Sequence, residues 1–192
     1  MRRSLSAVMS VIAFIASCSF LQAAPMDLSL PSERIALIGD SHVEVLGPLL
    51  SDLVKSKKIS LNYEARRGSK AIDWLSEPSW GDWIDKFDPQ MVIINLGTNE
   101  AMGGRMVDGL AVTFQMLVDR FSKNVRRKVV WVMPPRLQKP KHLDNVWQAT
   151  RRLKSVLLLD FSNKNYPLRD GMHLKREVYP LWAKDIAEAL KI

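Results

Sequence analysis

The chain has 192 residues, enough for one domain with a substantial core. Hydrophobic residues make up 47% and charged residues 25%, which excludes a chain that is mostly disordered. Cys18 is the only cysteine, so an internal disulfide and a cysteine-based metal site are both excluded. The three histidines, His42, His142 and His173, form no His-x-x-x-His pair, and no metal is expected. The formal charge of +8 suits contact with anionic polymers, although a solvated basic surface explains it equally. No segment matches a nucleic-acid-binding motif, so no nucleic-acid partner is expected.

Residues 1–24 read as a secretory signal peptide. Arg2 and Arg3 form a positive start, Leu5 to Ala16 is uncharged and largely apolar, and small residues follow. The apolar stretch is short for a membrane span. Two cleavage readings compete. Ile15-Ala16-Ser17-Cys18 resembles a lipobox, with cleavage before Cys18 and a lipid on that residue. Ordinary processing near Ala23 or Ala24 is the other reading, against which stand the large residues Leu21 and Gln22. Either way the protein is expected to be exported to the periplasm, envelope or exterior. Losing Arg2 and Arg3 with the leader lowers the charge from +8 to +6. A connector is expected over 25–33 and one domain over 34–192.

Arg34 to Gly39 is a compact apolar run ending at glycine and predicts a buried first strand. Apolar spacing predicts a helix over 43–54, its regular start delayed by Gly47 and Pro48. Residues 59–63 alternate and predict a second strand. A loop rich in Gly, Ser and Trp is expected over 66–89. Residues 91–96 form a nearly continuous apolar run, typical of a central parallel strand. Helical period returns over 107–121, a fourth strand over 129–133 and a helix over 143–153. A short fifth strand over 156–161 and a final helix over 177–190 complete the pattern. Strands alternating with helices imply a parallel sheet covered on both faces. Ligands then bind where the strands end.

Three short segments at that edge carry chemistry. They are Gly39-Asp40-Ser41-His42, Gly97-Thr98-Asn99-Glu100 and Asp170-Gly171-Met172-His173. With them and Gly68, the chain resembles the SGNH/GDSL hydrolases, a family of esterases, lipases and carbohydrate deacetylases. The resemblance spans Ile35 to the final helix. It implies a flavodoxin-like three-layer α/β/α sandwich on a five-stranded parallel sheet. It also implies Ser41 as nucleophile, Asp170 and His173 as its acid and base partners, and Ser41, Gly68 and Asn99 as oxyanion-hole donors. Three positions depart from the family pattern: His42 replaces a usual Leu, Glu100 a frequent Asp, and Arg66-Arg67 precede Gly68 where an Asn-containing turn is common.

The residue types suit these roles. A serine hydroxyl needs a base to take its proton, and an imidazole needs an acid to fix its tautomer. An oxyanion needs aimed donors, and a glycine lets backbone approach substrate. Each residue also has a structural reading: Ser41 as a helix cap, Asn99 and Asp170-Gly171 as turn residues, His173 as a packed histidine. His42 is expected on the site wall or the surface, and His142 in solvent. The Gly-x-Ser-x-Gly elbow is absent, as are the glycine-rich nucleotide loops, so no cofactor is expected.

Trp74, Trp80 and Trp83 with Arg67 are the expected substrate contacts. Aromatic faces suit sugars and cations suit anionic polymers, although tryptophans also pack loops onto cores. The expected reaction is serine-catalysed ester hydrolysis, with an O-acetyl group on an envelope polysaccharide as substrate. A short-chain esterase or thioesterase, or a silent glycan binder, are the alternatives. The sequence leaves the oligomeric state open.

Overall fold

A computed structural model describes residues 33–77, 79–123 and 127–192. The signal peptide, Cys18 and the connector up to residue 32 lie outside the described residues.

Five strands, β1 (Arg34–Gly39), β2 (Ser60–Ala65), β3 (Met91–Asn95), β4 (Lys128–Val132) and β5 (Leu157–Leu159), form one sheet in the order β2-β1-β3-β4-β5. Every pairing is parallel. The run Ile35-Ala36-Leu37-Ile38 is fully buried because helices cover both faces, and alternate side chains enter opposite layers. Ile35 and Leu37 face helices α1 (Val43–Lys55) and α7 (Tyr179–Leu190). Ala36 and Ile38 face the layer of α2 (Ala71–Ser76), α3 (Asp82–Phe87), α5 (Val107–Phe121) and α6 (Leu143–Thr150). This is the three-layer architecture that the motifs implied.

The register fixes where the chain can do chemistry. Gly39 lies opposite Ala65 on one side and Asn95 on the other. β2, β1 and β3 therefore end level, and the segments after them share one rim. The chain order reverses between β1 and β3, which makes the crevice beyond those two strands the expected ligand site. Gly39 is needed for that closeness, because a Cβ there would run into the Asn95 carbonyl oxygen and the Val43 side chain.

Several elements differ from their sequence-based expectation. The stretch 66–89 holds the short helices α2 and α3, and α4 (Thr98–Met102) follows β3. Helices of five or six residues span too few turns to show a period. β2 ends two residues later than expected, at Ala65, and β5 is shorter. α1 starts at Val43 and runs through Pro48, whose ring lies at the exposed surface. The final helix is preceded by a 3-10 turn, Arg176–Val178.

Candidate functional site

Ser41 follows β1 by two residues, and its side chain does not cap α1. Its Oγ instead lies 3.1 Å from His173 Nε2. The other ring nitrogen, Nδ1, lies 3.0 Å from Asp170 Oδ2. With Asp170 ionised, Nδ1–H donates to it, and the Nε2 lone pair faces the serine hydroxyl. The chain order is Ser, Asp, His.

The Asp170 segment is a built turn. Asp170 Oδ1 accepts from the backbone N–H groups of Met172 and His173, at 3.0 and 2.8 Å. Gly171 supplies the left-handed φ of +83° that the turn requires. Leu168 and Leu174 pair across the turn, and Arg169 N–H donates to the His173 carbonyl at 2.8 Å. Those backbone donors, with the His173 ring and Arg169, hold the Asp170 carboxyl far below the usual carboxylate range. It is therefore an anion at any working pH, as a partner for a transient imidazolium must be.

Ser41, Gly68 and Asn99 line the same cleft of about 350 Å³ as His173. Among the described residues, the backbone N–H groups of Ser41 and Gly68 donate to no protein acceptor. Two free donors beside a serine hydroxyl can receive a developing oxyanion. Gly68 has φ +78°, and a Cβ there would meet no atom within 4 Å. Its glycine is thus required by backbone conformation, where the sequence suggested close approach. Asn99 is placed as expected, but its amide is engaged. Nδ2 donates to the Ser69 carbonyl at 3.0 Å and to Asp40 Oδ2 at 3.3 Å. Donation to a substrate would draw on the longer of these bonds.

Behind this surface lies a buried polar layer that the sequence did not reveal. Asp40 is fully buried, and its Oδ1 accepts from the His42 backbone N–H at 3.0 Å. Burial pushes its pKa up to about 7, with the Glu100 charge adding to the rise. Glu100 is also buried; one oxygen accepts from the Ala71 N–H at 2.6 Å, tying α4 to the start of α2. Burial raises its pKa too.

His42 is neither wall nor surface, which corrects the expectation. It is fully buried, with Nδ1 2.9 Å from the Tyr179 hydroxyl and its ring centroid 5.5 Å from that of His173. Desolvation, then repulsion from His173, push its pKa down to about 3. It backs the His173 ring as a neutral, packed imidazole. His142 is half-buried at the start of α6, where Gly104 turns against its ring.

The tryptophans also need correction. Trp74 is fully buried and donates Nε1–H to Ser69 Oγ at 3.0 Å, so its face meets no substrate. Trp80 packs edge-on against Trp74, 5.4 Å between centroids, and the Arg66 guanidinium lies over it. Trp83 donates to Glu64 at 2.5 Å and lines a separate groove beside β2 with Tyr63. All three pack the loop onto the core. Arg67 does line the cleft, in a two-point ion pair with Glu44. The cleft also contains Arg169, Arg176 and Tyr179, none expected from the sequence. The two arginines were visible as charges flanking the Asp-x-x-His segment.

No family model matches the chain, and no curated protein matches its sequence. Solved structures do. A lipase/acylhydrolase from Enterococcus faecalis superposes with TM-score 0.65 at 17% identity, over 83% of this chain and 95% of that one. The acetyl xylan esterase AlAXEase gives TM-score 0.67 at 16% identity, over 81% and 98%. An acetyl xylan esterase from Geobacillus stearothermophilus gives 0.65 at 16%, over 82% and 94%. These likenesses establish the architecture: the chain shares the three-layer α/β/α fold of these structures.

Proposed function

We propose that this protein is a serine ester hydrolase acting through an acyl-enzyme on Ser41, with an O-acetyl group on an envelope glycan as substrate. The observation that carries the reading is the relay Ser41–His173–Asp170 at 3.1 and 3.0 Å, beside two unpaired backbone donors. In this mechanism His173 Nε2 takes the Ser41 proton as Oγ attacks the ester carbonyl. The backbone N–H groups of Ser41 and Gly68 hold the oxyanion, joined by the Asn99 amide. Asp170 stabilises the imidazolium, which then protonates the leaving alcohol. Water, deprotonated by the same imidazole, attacks the acyl-enzyme; the free acid leaves and Ser41 regains its proton.

The acetyl assignment is supported by the small cleft and by the acetyl xylan esterases among the structures of like fold. The leader supports export, with a lipid on Cys18 or simple cleavage to be decided by mass spectrometry of the mature N-terminus. The direct test is hydrolysis of p-nitrophenyl acetate and longer acyl analogues, then acetate release from acetylated envelope polymer. Ser41→Ala is expected to lower turnover by about 10⁴-fold or more. Equal rates for mutant and wild type would refute the nucleophile. Faster hydrolysis of long acyl chains than of acetate would refute the deacetylase.

A further inference from the structure

Part of the cleft wall is the short segment that carries His173. On it, Arg169 and Arg176 flank the Asp170–His173 turn, and both line the cleft. The segment is fixed at both ends of the turn. Leu168 pairs with Leu174, and the Lys175 N–H donates to the Pro167 carbonyl at 3.0 Å. Beyond Arg176, Val178 and Tyr179 are buried. The root of the Arg176 side chain is therefore held in a set relation to the His173 imidazole.

The three arginines of the cleft are not equivalent. Arg67 is neutralised by Glu44 in a two-point pair, its Nε 3.0 Å from Oε1. Arg169 contacts Asp170 Oδ2 at 3.1 Å. Arg176 has neither ion pair nor side-chain hydrogen bond among the described residues. Among the described residues Glu44 is the one carboxylate lining the cleft, against three guanidinium groups. A planar guanidinium without a partner, beside the reacting groups, is matched to a carboxylate it can bind through two parallel N–H donors.

We propose that the cleft selects esters bearing a carboxylate close to the scissile bond, and that Arg176 is the residue that recognises it. This rests on the esterase reading above. The carboxylate can belong to the alcohol, as in an O-acetylated hexuronate unit of an acidic glycan, or to the acyl group, as in a hemisuccinate. In either case Arg176 acts on binding and leaves the proton relay to Ser41 and His173.

The test is the ratio of kcat/KM for matched anionic and neutral esters. O-acetyl glucuronate against O-acetyl glucose reads the alcohol side. p-Nitrophenyl succinate against p-nitrophenyl butyrate reads the acyl side. The wild type is expected to prefer the anionic member of one pair, and 0.5 M sodium chloride is expected to erode that preference. Arg176→Gln should lower the ratio for that pair roughly tenfold, chiefly through KM, whereas Arg176→Lys should retain part of it. No anionic preference in the wild type for either pair, or an unchanged ratio in Arg176→Gln, overturns the proposal. Should the wild type cleave no ester at all, the esterase reading fails and this proposal falls with it. Cleavage of neutral esters alone refutes only the anion selectivity.

Discussion

The two walls of the cleft handle charge in opposite ways. The hairpin wall, Leu168 to Arg176, keeps its carboxylate half-exposed, ringed by donors and ionised. Behind the strand-exit wall, Asp40 and Glu100 are buried and held towards the neutral form. On the proposed mechanism one acid stabilises a cation that appears during reaction; the others fill space and hold backbone. Proximity to a nucleophile therefore says little about an acidic residue's task, and its solvation says a great deal.

The sharpest way to break this contrast is Asp170→Asn. Loss of the anion and of the tautomer it enforces should lower kcat by about 10³–10⁴-fold. A drop under tenfold would mean that Asp170 is merely a turn former.

A smaller effect separates the buried pair. Asp40 is raised from its ordinary 3.8 to about 7. Between those values the folded state holds a proton that the unfolded state has lost, so Asp40's contribution is full below about 4 and fades as pH rises to about 7. His42 is lowered from 6.5 to about 3. There the unfolded state holds the extra proton, so its contribution is full above about 6.5 and fades as pH falls towards 3. The slopes are opposite, each at most about 1.4 kcal/mol per pH unit. These two groups alone would leave wild-type stability nearly flat from pH 4.5 to 6.5, with the raised Glu100 adding a downward slope as pH rises. Asp40→Asn should gain stability as pH rises through that window, and His42→Leu should lose it. Urea melts across the window test this, and parallel, flat profiles in both variants would refute the assignment.

The smallest expected effect is that of His42→Leu on catalysis. A leucine fills the space behind His173 but leaves the Tyr179 hydroxyl without its partner. A loss of about 1–3 kcal/mol in stability at pH 7 is expected, with turnover changed by less than tenfold. A larger kcat loss would make His42 part of the relay.

Much of this was legible in the sequence. β1 and β3 announced themselves because strands buried on both faces must be apolar throughout, and the Ser41, Asn99 and Asp170–His173 segments each sit where a strand ends or a terminal helix approaches. The short helices α2 to α4 were not legible, since one turn and a half carries no period. The tryptophans misled for a physical reason: the same flat apolar ring serves a sugar or a core, and only the fold decides which. His42 was misplaced because nothing in the sequence near it marks its burial. Its burial depends on Tyr179 and Trp182, 137 and 140 positions away, the first by a hydrogen bond and the second by an edge-on ring contact. Arg176 showed in the sequence only as a charge near the Asp-x-x-His segment; its position in the cleft beside His173 follows from the paired leucines around the turn.

That small paired hairpin has an evolutionary corollary. It delivers the proposed base, its acid and two cleft-lining arginines as one inherited cassette, while the serine arrives on a separate strand exit. If the proposed esterase holds, drift at Arg169 or Arg176 can retune what it accepts without realigning the serine, so closely similar chains with different side chains at these two places should diverge in diet before they diverge in chemistry.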